Sequence, residues 1–345
     1  MTKQVGIPAG VRAHPAVTVG LSALFVACWS SGFIGAKLGA GDAGVTTVLM
    51  WRFLPLALVL LPIAWWSARR RATMPSAPTL ARQAVIGVLS QSGYLLTVYW
   101  AIGLGVNTGT TALVDGIQPL VAAALLGPLL GVAVSGRQWI GLLLGLGGVA
   151  IVTAADAGAD TTAPWWSYAI PFVGMLCLVA ATFVEQRAPA SVSPLQGLAI
   201  HCSTSAVVFT LMALAAGQAT PPGDIAFWTA MVWLVVLSTF GGYGLYWILL
   251  RRVGVARVNT LMFLIAPVTA VWGALMFGES FTAVTAVGLA VGIAAVMVVT
   301  AAPGTGRSTA GDAQRATRGP RAVAGVAGSS RSTAPHRNTP RTASC

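Results

Sequence analysis

Charge is what this sequence has least of. Asp, Glu, Lys and Arg make up 8 % of the 345 residues, against 56 % hydrophobic residues, where a soluble domain carries about 25 % charge. A surface this apolar has no stable contact with water, so the bilayer must be the solvent for most of the chain. Cysteine is scarce too. Cys28, Cys177, Cys202 and Cys345 show no CxxC spacing and no nearby histidine pair, which argues against a disulfide framework or a zinc site and leaves them as small apolar packing. No GxxxxGK[ST] is present, so the chain hydrolyses no nucleotide of its own. The G-x-G-x-x-A at Gly145–Ala150 lies inside an apolar run with no strand before it, and carries no dinucleotide. No G-x-S-x-G marks a nucleophile. The expectation is therefore no cofactor, no metal and no catalytic residue.

What the chain has is long apolar runs. A helix rises about 1.5 Å per residue, so roughly 20 apolar residues cross the hydrocarbon. Ten such runs are predicted, at about 17–38, 45–67, 83–102, 108–131, 137–155, 165–185, 194–216, 225–249, 257–277 and 281–302. Lipid offers no partner to a free backbone N–H or C=O, so these are helices, and the fold class is all-α integral membrane. The polar start, with Lys3 and Arg12, precedes a run too long for a cleaved signal peptide.

The runs repeat. Tyr99-Trp100 returns as Tyr246-Trp247, Gly105-Val106 as Gly254-Val255, Pro119 as Pro267, and Gly141-xxx-Gly145 as Gly288-xxx-Gly292, each about 147–149 positions on. Two halves share one design: residues 17–155 and 165–302, joined by a linker over 156–164. Five helices per half is odd, so the second half enters the membrane from the opposite face. Inverted repeats recur in secondary transporters, with the solute site near the midplane between the halves.

Charge also sets orientation. Lys3, Arg12, Arg69, Arg70, Arg71, Arg82, Arg137, Arg187, Arg251, Arg252 and Arg257 fall at the N-terminus and in every second loop, while Asp42, Asp156, Asp160 and Asp224 fall in the others. Basic loops stay cytoplasmic, so both termini are expected there. Tryptophans near both predicted helix ends make an interfacial belt; Trp29, Trp233 and Trp272 lie deeper. From about Pro303 onward Gly, Ser, Thr, Pro, Ala and Arg dominate, the composition of a disordered basic tail. Without a binding fold its charge implies no nucleic-acid partner, only attraction to anionic lipid.

Trp29-Ser30-Ser31-Gly32-Phe33-Ile34-Gly35-Ala36-Lys37, Arg52-Phe53, the segment Ala112–Leu120 with Gln118-Pro119-Leu120, and Ala266-Pro267-Val268 running on to Gly278-Glu279-Ser280 resemble motifs of the drug/metabolite transporter superfamily, EamA branch. The resemblance covers about 17–302. It implies ten transmembrane helices in two inverted five-helix repeats of a multi-pass protein of a bacterial inner (plasma) membrane, exporting small metabolites such as amino acids. Members often carry a Glu at the end of the fourth helix; Gly131 stands there in this chain.

Intramembrane charge is expensive, so each case is a candidate. Arg52 and Asp115 both lie about seven residues in from the outer face, roughly 10 Å deep. Equal depth permits a structural ion pair; the alternative is solute or proton binding. Lys37 either snorkels or meets a carboxylate, and Glu279, at a helix end, reads as a polar cap or an interfacial residue. His201 is either a hydrogen-bonded interior residue or a proton relay. Pro119 and Pro267 break helical bonding at matching places, as in a broken pore-lining helix or a packing kink. Trp29, Ser30, Ser31, Tyr94, Asn107, Gln118, Tyr243, Tyr246, Trp247 and Asn259 are further candidates for a cavity wall. Gly141/Gly145 and Gly288/Gly292 suit close helix packing, within the chain or at a homodimer face. The reading is a secondary transporter of small metabolites working by alternating access, with or without proton coupling. A membrane-embedded enzyme and a permease subunit of a larger complex are the competing classes.

Overall fold

Ten helical crossings follow one another among the described residues. The computed structural model describes residues 15–41, 43–129, 134–159, 162–187 and 192–300, apart from the side chains of 126–129, 255, 256, 259, 299 and 300. The tail from 303 and Gly131 lie outside these residues. Among the described residues there is no strand. The crossings are α1 (Pro15–Gly39), α2 (Val45–Arg70), α3 (Ala77–Gly103), α4 (Thr108–Gly116 and Gln118–Leu129), α5 (Gly136–Ala157), α6 (Trp165–Gln186), α7 (Pro194–Ala215), α8 (Ile225–Val253), α9 (Val255–Met262 and Ile265–Phe277) and α10 (Ala283–Thr300). Eight stretches are long and apolar enough to cross a bilayer by themselves. α10 adds a shorter apolar helix, and α4 reaches full length only as two pieces.

The helices start where the sequence offers caps. Ser135 and Ser193 each accept the N–H three residues on, from Gln138 and Gln196, whose side chains answer with the reciprocal bond. Asp224 accepts the Phe227 N–H at 2.6 Å. Some boundaries differ from those expected. α3 starts earlier and takes in Arg82, α8 runs on through Arg251 and Arg252, and Arg257 lies in α9. Asp156, expected in a loop, belongs to α5 and is buried at 3 % exposure. It stays helical because its carboxylate has a partner there, the start of α4.

The two halves pack as an exchangeable pair. α2 lies on α7, α4 on α9 and α5 on α10, each helix on its own counterpart; α1 lies on α8 and α3 on α6, which trade places when the halves are swapped. Lipid tails are as apolar as leucine, so these contacts depend on close fit rather than on water exclusion. A Cβ on Gly148 would stand 2.7 Å from the Gly288 carbonyl oxygen and 2.9 Å from the Gly292 nitrogen, so α5 and α10 touch backbone to backbone. Gly145 faces Leu120, Ile117 and Ala295, so these glycines pack within the chain. Gly93 lies against the Cys177 thiol and Gly241 against that of Cys28: one contact, made twice, using two of the scarce cysteines as small packing groups.

Gly105 (φ 102°) and Gly254 (φ 83°) turn the chain between the third and fourth crossing of each half. Both need a backbone that side chains with a Cβ resist. They sit at opposite ends of the bundle, as inversion requires. The third crossing of each half also widens into a π-helix, at Val88–Gly93 in α3 and Leu234–Tyr243 in α8. Such widenings re-aim side chains and occur often at functional sites.

Candidate functional site

The site begins with two broken helices. Pro119 has no N–H to offer the Asp115 carbonyl, four residues back. The helix stops at Gly116, and the Ile117 N–H turns onto that carbonyl instead. α9 breaks between Met262 and Ile265, just before Pro267, and the Ser30 hydroxyl of α1 donates to the Ile265 carbonyl at 3.3 Å. A gap in helical bonding at membrane depth is tolerated where protein or a cavity satisfies it.

Between the halves, at these breaks, lies a cavity of about 300 Å³. Trp29, Phe33, Phe53, Leu95 and Val98 give it an apolar side. The polar side comes largely from the two π-helical widenings: Ser90 and Gln91 from α3, Ser238, Thr239 and Tyr243 from α8. Gln91 Nε2 donates to the Tyr243 hydroxyl at 3.3 Å.

Arg52 and Asp115 both line this cavity, but no ion pair joins them. The Arg52 guanidinium donates to the Tyr99 hydroxyl, to Ser238 Oγ at 3.1 Å and to Thr239 Oγ1 at 3.3 Å, while its Nε is buried without a partner. Asp115 Oδ2 accepts from the Tyr94 hydroxyl at 2.9 Å. Equal depth therefore brought the charges into one chamber and left each held by neutral groups.

The cavity is closed towards the ends of α1 and α9. Lys37 Nζ meets Glu279 Oε1 at 2.6 Å. Glu279 also accepts the Thr108 N–H at 3.0 and 3.1 Å and the Thr108 hydroxyl at 2.8 Å. Asp156 accepts the Asn107 N–H at 3.1 Å and the Thr110 hydroxyl at 2.7 Å. Two carboxylates, Asp156 in α5 and Glu279 just beyond the end of α9, thus hold the start of α4, where the orphan N–H groups and the helix dipole favour negative charge.

Towards the opposite face, where the arginines of α2 lie, the cavity leads into a vestibule of about 480 Å³. Ser90, Gln118, Leu178 and Tyr243 line both spaces. His201, with Nε2 2.9 Å from Gln83 Oε1, lies in the vestibule and not in the central cavity.

Of the residues singled out from sequence, Trp29, Arg52, Tyr94, Asp115, Gln118, Pro119 and Tyr243 meet at the central cavity. Trp247 and His201 line the vestibule; Lys37, Asn107 and Glu279 belong to the closure. Four more line neither space. Ser30 and Ser31 are spent on backbone carbonyls, Ser31 on that of Cys28 at 2.6 Å. Tyr246 packs its ring against Trp29 and Phe25. Pro267 stands two residues beyond Ile265, which reaches the wall together with Met262. The Asn259 side chain lies outside the described residues. Sequence reasoning missed Ser90, Gln91, Tyr99, Ser238, Thr239 and Asp156. One signal was present: Val88-Leu89-Ser90 recurs as Val236-Leu237-Ser238, at the same place in each half.

Comparison with known proteins agrees with the two-half design. The profile of the EamA-like transporter family matches this chain twice, over residues 17–154 and 165–301. A "Probable terminal-alkyne amino-acid exporter" of Streptantibioticus cattleyicolor is 28 % identical over 285 residues, which is 80 % of this chain and 91 % of the relative. An "Uncharacterized inner membrane transporter YedA" of Escherichia coli K12 is 23 % identical, over 81 % of this chain and 89 % of that one. A solved crystal structure superposes with a TM-score of 0.56 at 19 % identity, covering 84 % of this chain and 98 % of the other, a likeness of fold.

Proposed function

Because the chain belongs to the EamA-like transporter family, we propose that it exports a small zwitterionic, amino-acid-like solute by alternating access between its two inverted halves. It is a membrane transporter of the drug/metabolite superfamily; solute, direction and mechanism are the proposal. One observation carries it. Arg52 and Asp115 face one buried cavity with opposite charge and without each other. A buried charge costs a great deal unless it is paired. A solute bearing both signs satisfies both: its carboxylate on the guanidinium fork, its ammonium on Asp115. The apolar side formed by Trp29, Phe33 and Phe53 then takes the side group. That one relative is named as an amino-acid exporter supports the same class.

The arginine-bearing face is taken as cytoplasmic, since Lys and Arg are retained there. The cavity then opens to the cytoplasm and is latched outside by Lys37, Glu279 and Thr108. Export follows when the latch opens and the inner side closes. A proton on Asp115 and an ammonium beside it exclude each other, which gives the cavity a means of exchanging one for the other. A hydrolytic enzyme is the weaker reading, because His201 and Asp115 line different spaces.

Uptake of a labelled metabolite panel into inverted membrane vesicles, with and without a pH gradient, tests this. Apolar amino acids should accumulate, and Asp115→Asn should abolish the gradient-driven part. Accumulation of uncharged or purely anionic solutes with no amino acid among them would refute the zwitterion reading.

A further inference from the structure

The central cavity does not account for the vestibule. This second space, of about 480 Å³, differs in its chemistry. Among the described residues its wall carries one carboxylate, Glu185, and neither lysine nor arginine. The central cavity carries Arg52 as well as Asp115. One space can thus answer both ends of a zwitterion, while the other answers only the cationic end.

Glu185 is held in place by a built network. Gln83, buried at 2 % exposure, donates from Nε2 to Glu185 Oε2 at 3.3 Å. Its Oε1 lies 2.9 Å from His201 Nε2. An amide that donates on one side must accept on the other, so the proton between Gln83 and His201 sits on the imidazole. Backbone approach fixes the ring: a Cβ on Gly87 would stand 3.0 Å from His201 Cα and 3.3 Å from its Cδ2. The buried amide thus links a histidine on one side to a carboxylate on the other.

The surroundings give the carboxylate a task. Arg69, Arg70 and Arg71 stand at the same end of the bundle, and their field repels an approaching ammonium. A negative group just inside offsets that repulsion where the solute enters. Ser90, Gln118, Leu178 and Tyr243 are shared by the two spaces, so a solute leaving Glu185 passes neutral groups before it meets Asp115.

We propose that the vestibule is a second, earlier binding station, which takes the ammonium of the solute at Glu185 before the solute reaches Arg52 and Asp115. This rests on the amino-acid reading above. Glu185 is the binding group, Gln83 the residue that positions it, and Trp247 lies on the wall as a reporter.

The test is a binding titration of the purified full-length chain in detergent, read by intrinsic fluorescence, with L-leucine as the probe and N-acetyl-leucine as the analogue that lacks the ammonium. Two phases are expected for leucine. Trp247→Phe should silence the vestibule phase. Glu185→Gln should raise its half-saturating concentration about tenfold, the effect of losing one ion contact, and leave the other phase in place. Gln83→Leu should shift the same phase less. Asp115→Asn should do the reverse of Glu185→Gln, and N-acetyl-leucine should give no vestibule phase. A single phase that Asp115→Asn removes and Glu185→Gln leaves untouched overturns the vestibule while the central site stands. Binding indifferent to both variants, or none at all, overturns both.

Discussion

Lys37 and Glu279 are 242 positions apart and meet at 2.6 Å, tying the end of α1 to the end of α9. Glu279 is only 4 % exposed and also caps α4, so one carboxylate joins three helices. The counterpart of Glu279 in the first half is Gly131, which has no charge to offer. Under the alternating-access proposal, closure at Lys37 and Glu279 therefore hangs on one carboxylate that a single substitution removes.

Glu279→Gln should weaken that closure by about 1–3 kcal/mol, through loss of the ion pair and weakening of the cap. Lys37→Met should act in the same direction and at least as strongly, because it leaves the buried Glu279 carboxylate without its cation. Transport assays at saturating solute should show a changed maximal rate in both variants. Unchanged rates would mean that the pair does not gate.

Neighbouring glycines on α5 give a matched pair. Gly148→Ala would drive a Cβ into the backbone of Gly288 and Gly292, whereas Gly147→Ala meets nothing within 4 Å. The first should cost about 1–3 kcal/mol by overpacking and the second close to nothing. Melting temperatures in detergent decide this; equal values would contradict the α5–α10 contact.

The turn glycines make a graded pair. Gly254→Ala meets open space but keeps a left-handed φ, and Gly105→Ala adds a contact of 3.2 Å with Ala163 N. Both should destabilise by about 1–3 kcal/mol, Gly105→Ala more. If Gly254→Ala melts like the natural chain, the strained turn is not a feature of both halves.

Arg52→Gln should abolish transport of amino acids by removing the guanidinium fork. Arg52→Lys should restore only part, since an ammonium cannot make the bidentate contact. Full activity in either variant would remove the carboxylate contact from the account.

Most of the fold was legible because lipid allows few solutions. Apolar run length fixed the number of crossings, and Tyr99-Trp100 against Tyr246-Trp247 gave the repeat. The breaks in α4 and α9 followed from Pro119 and Pro267. The site was harder to read. Asp156 passes for a loop residue, because a carboxylate at a helix end looks alike whether it faces solvent or caps a neighbour. Arg52 and Asp115 share a depth, yet depth says nothing of direction around a helix. Ser90 and Ser238 line the cavity from the stretches where α3 and α8 widen locally, and no periodicity announces a π-turn.

The most direct measurement is the labelling of a cysteine at Ser90, in a chain whose four natural cysteines are replaced. A membrane-impermeant maleimide would be applied to right-side-out and to inside-out vesicles. Ser90 lines both the central cavity and the vestibule. Fast labelling from the arginine-bearing face and slow labelling from the other is expected, with the slow side accelerated by Glu279→Gln. Equal rates from both faces, or an accessible side unchanged by that substitution, would contradict a path along the seam that opens to one side at a time.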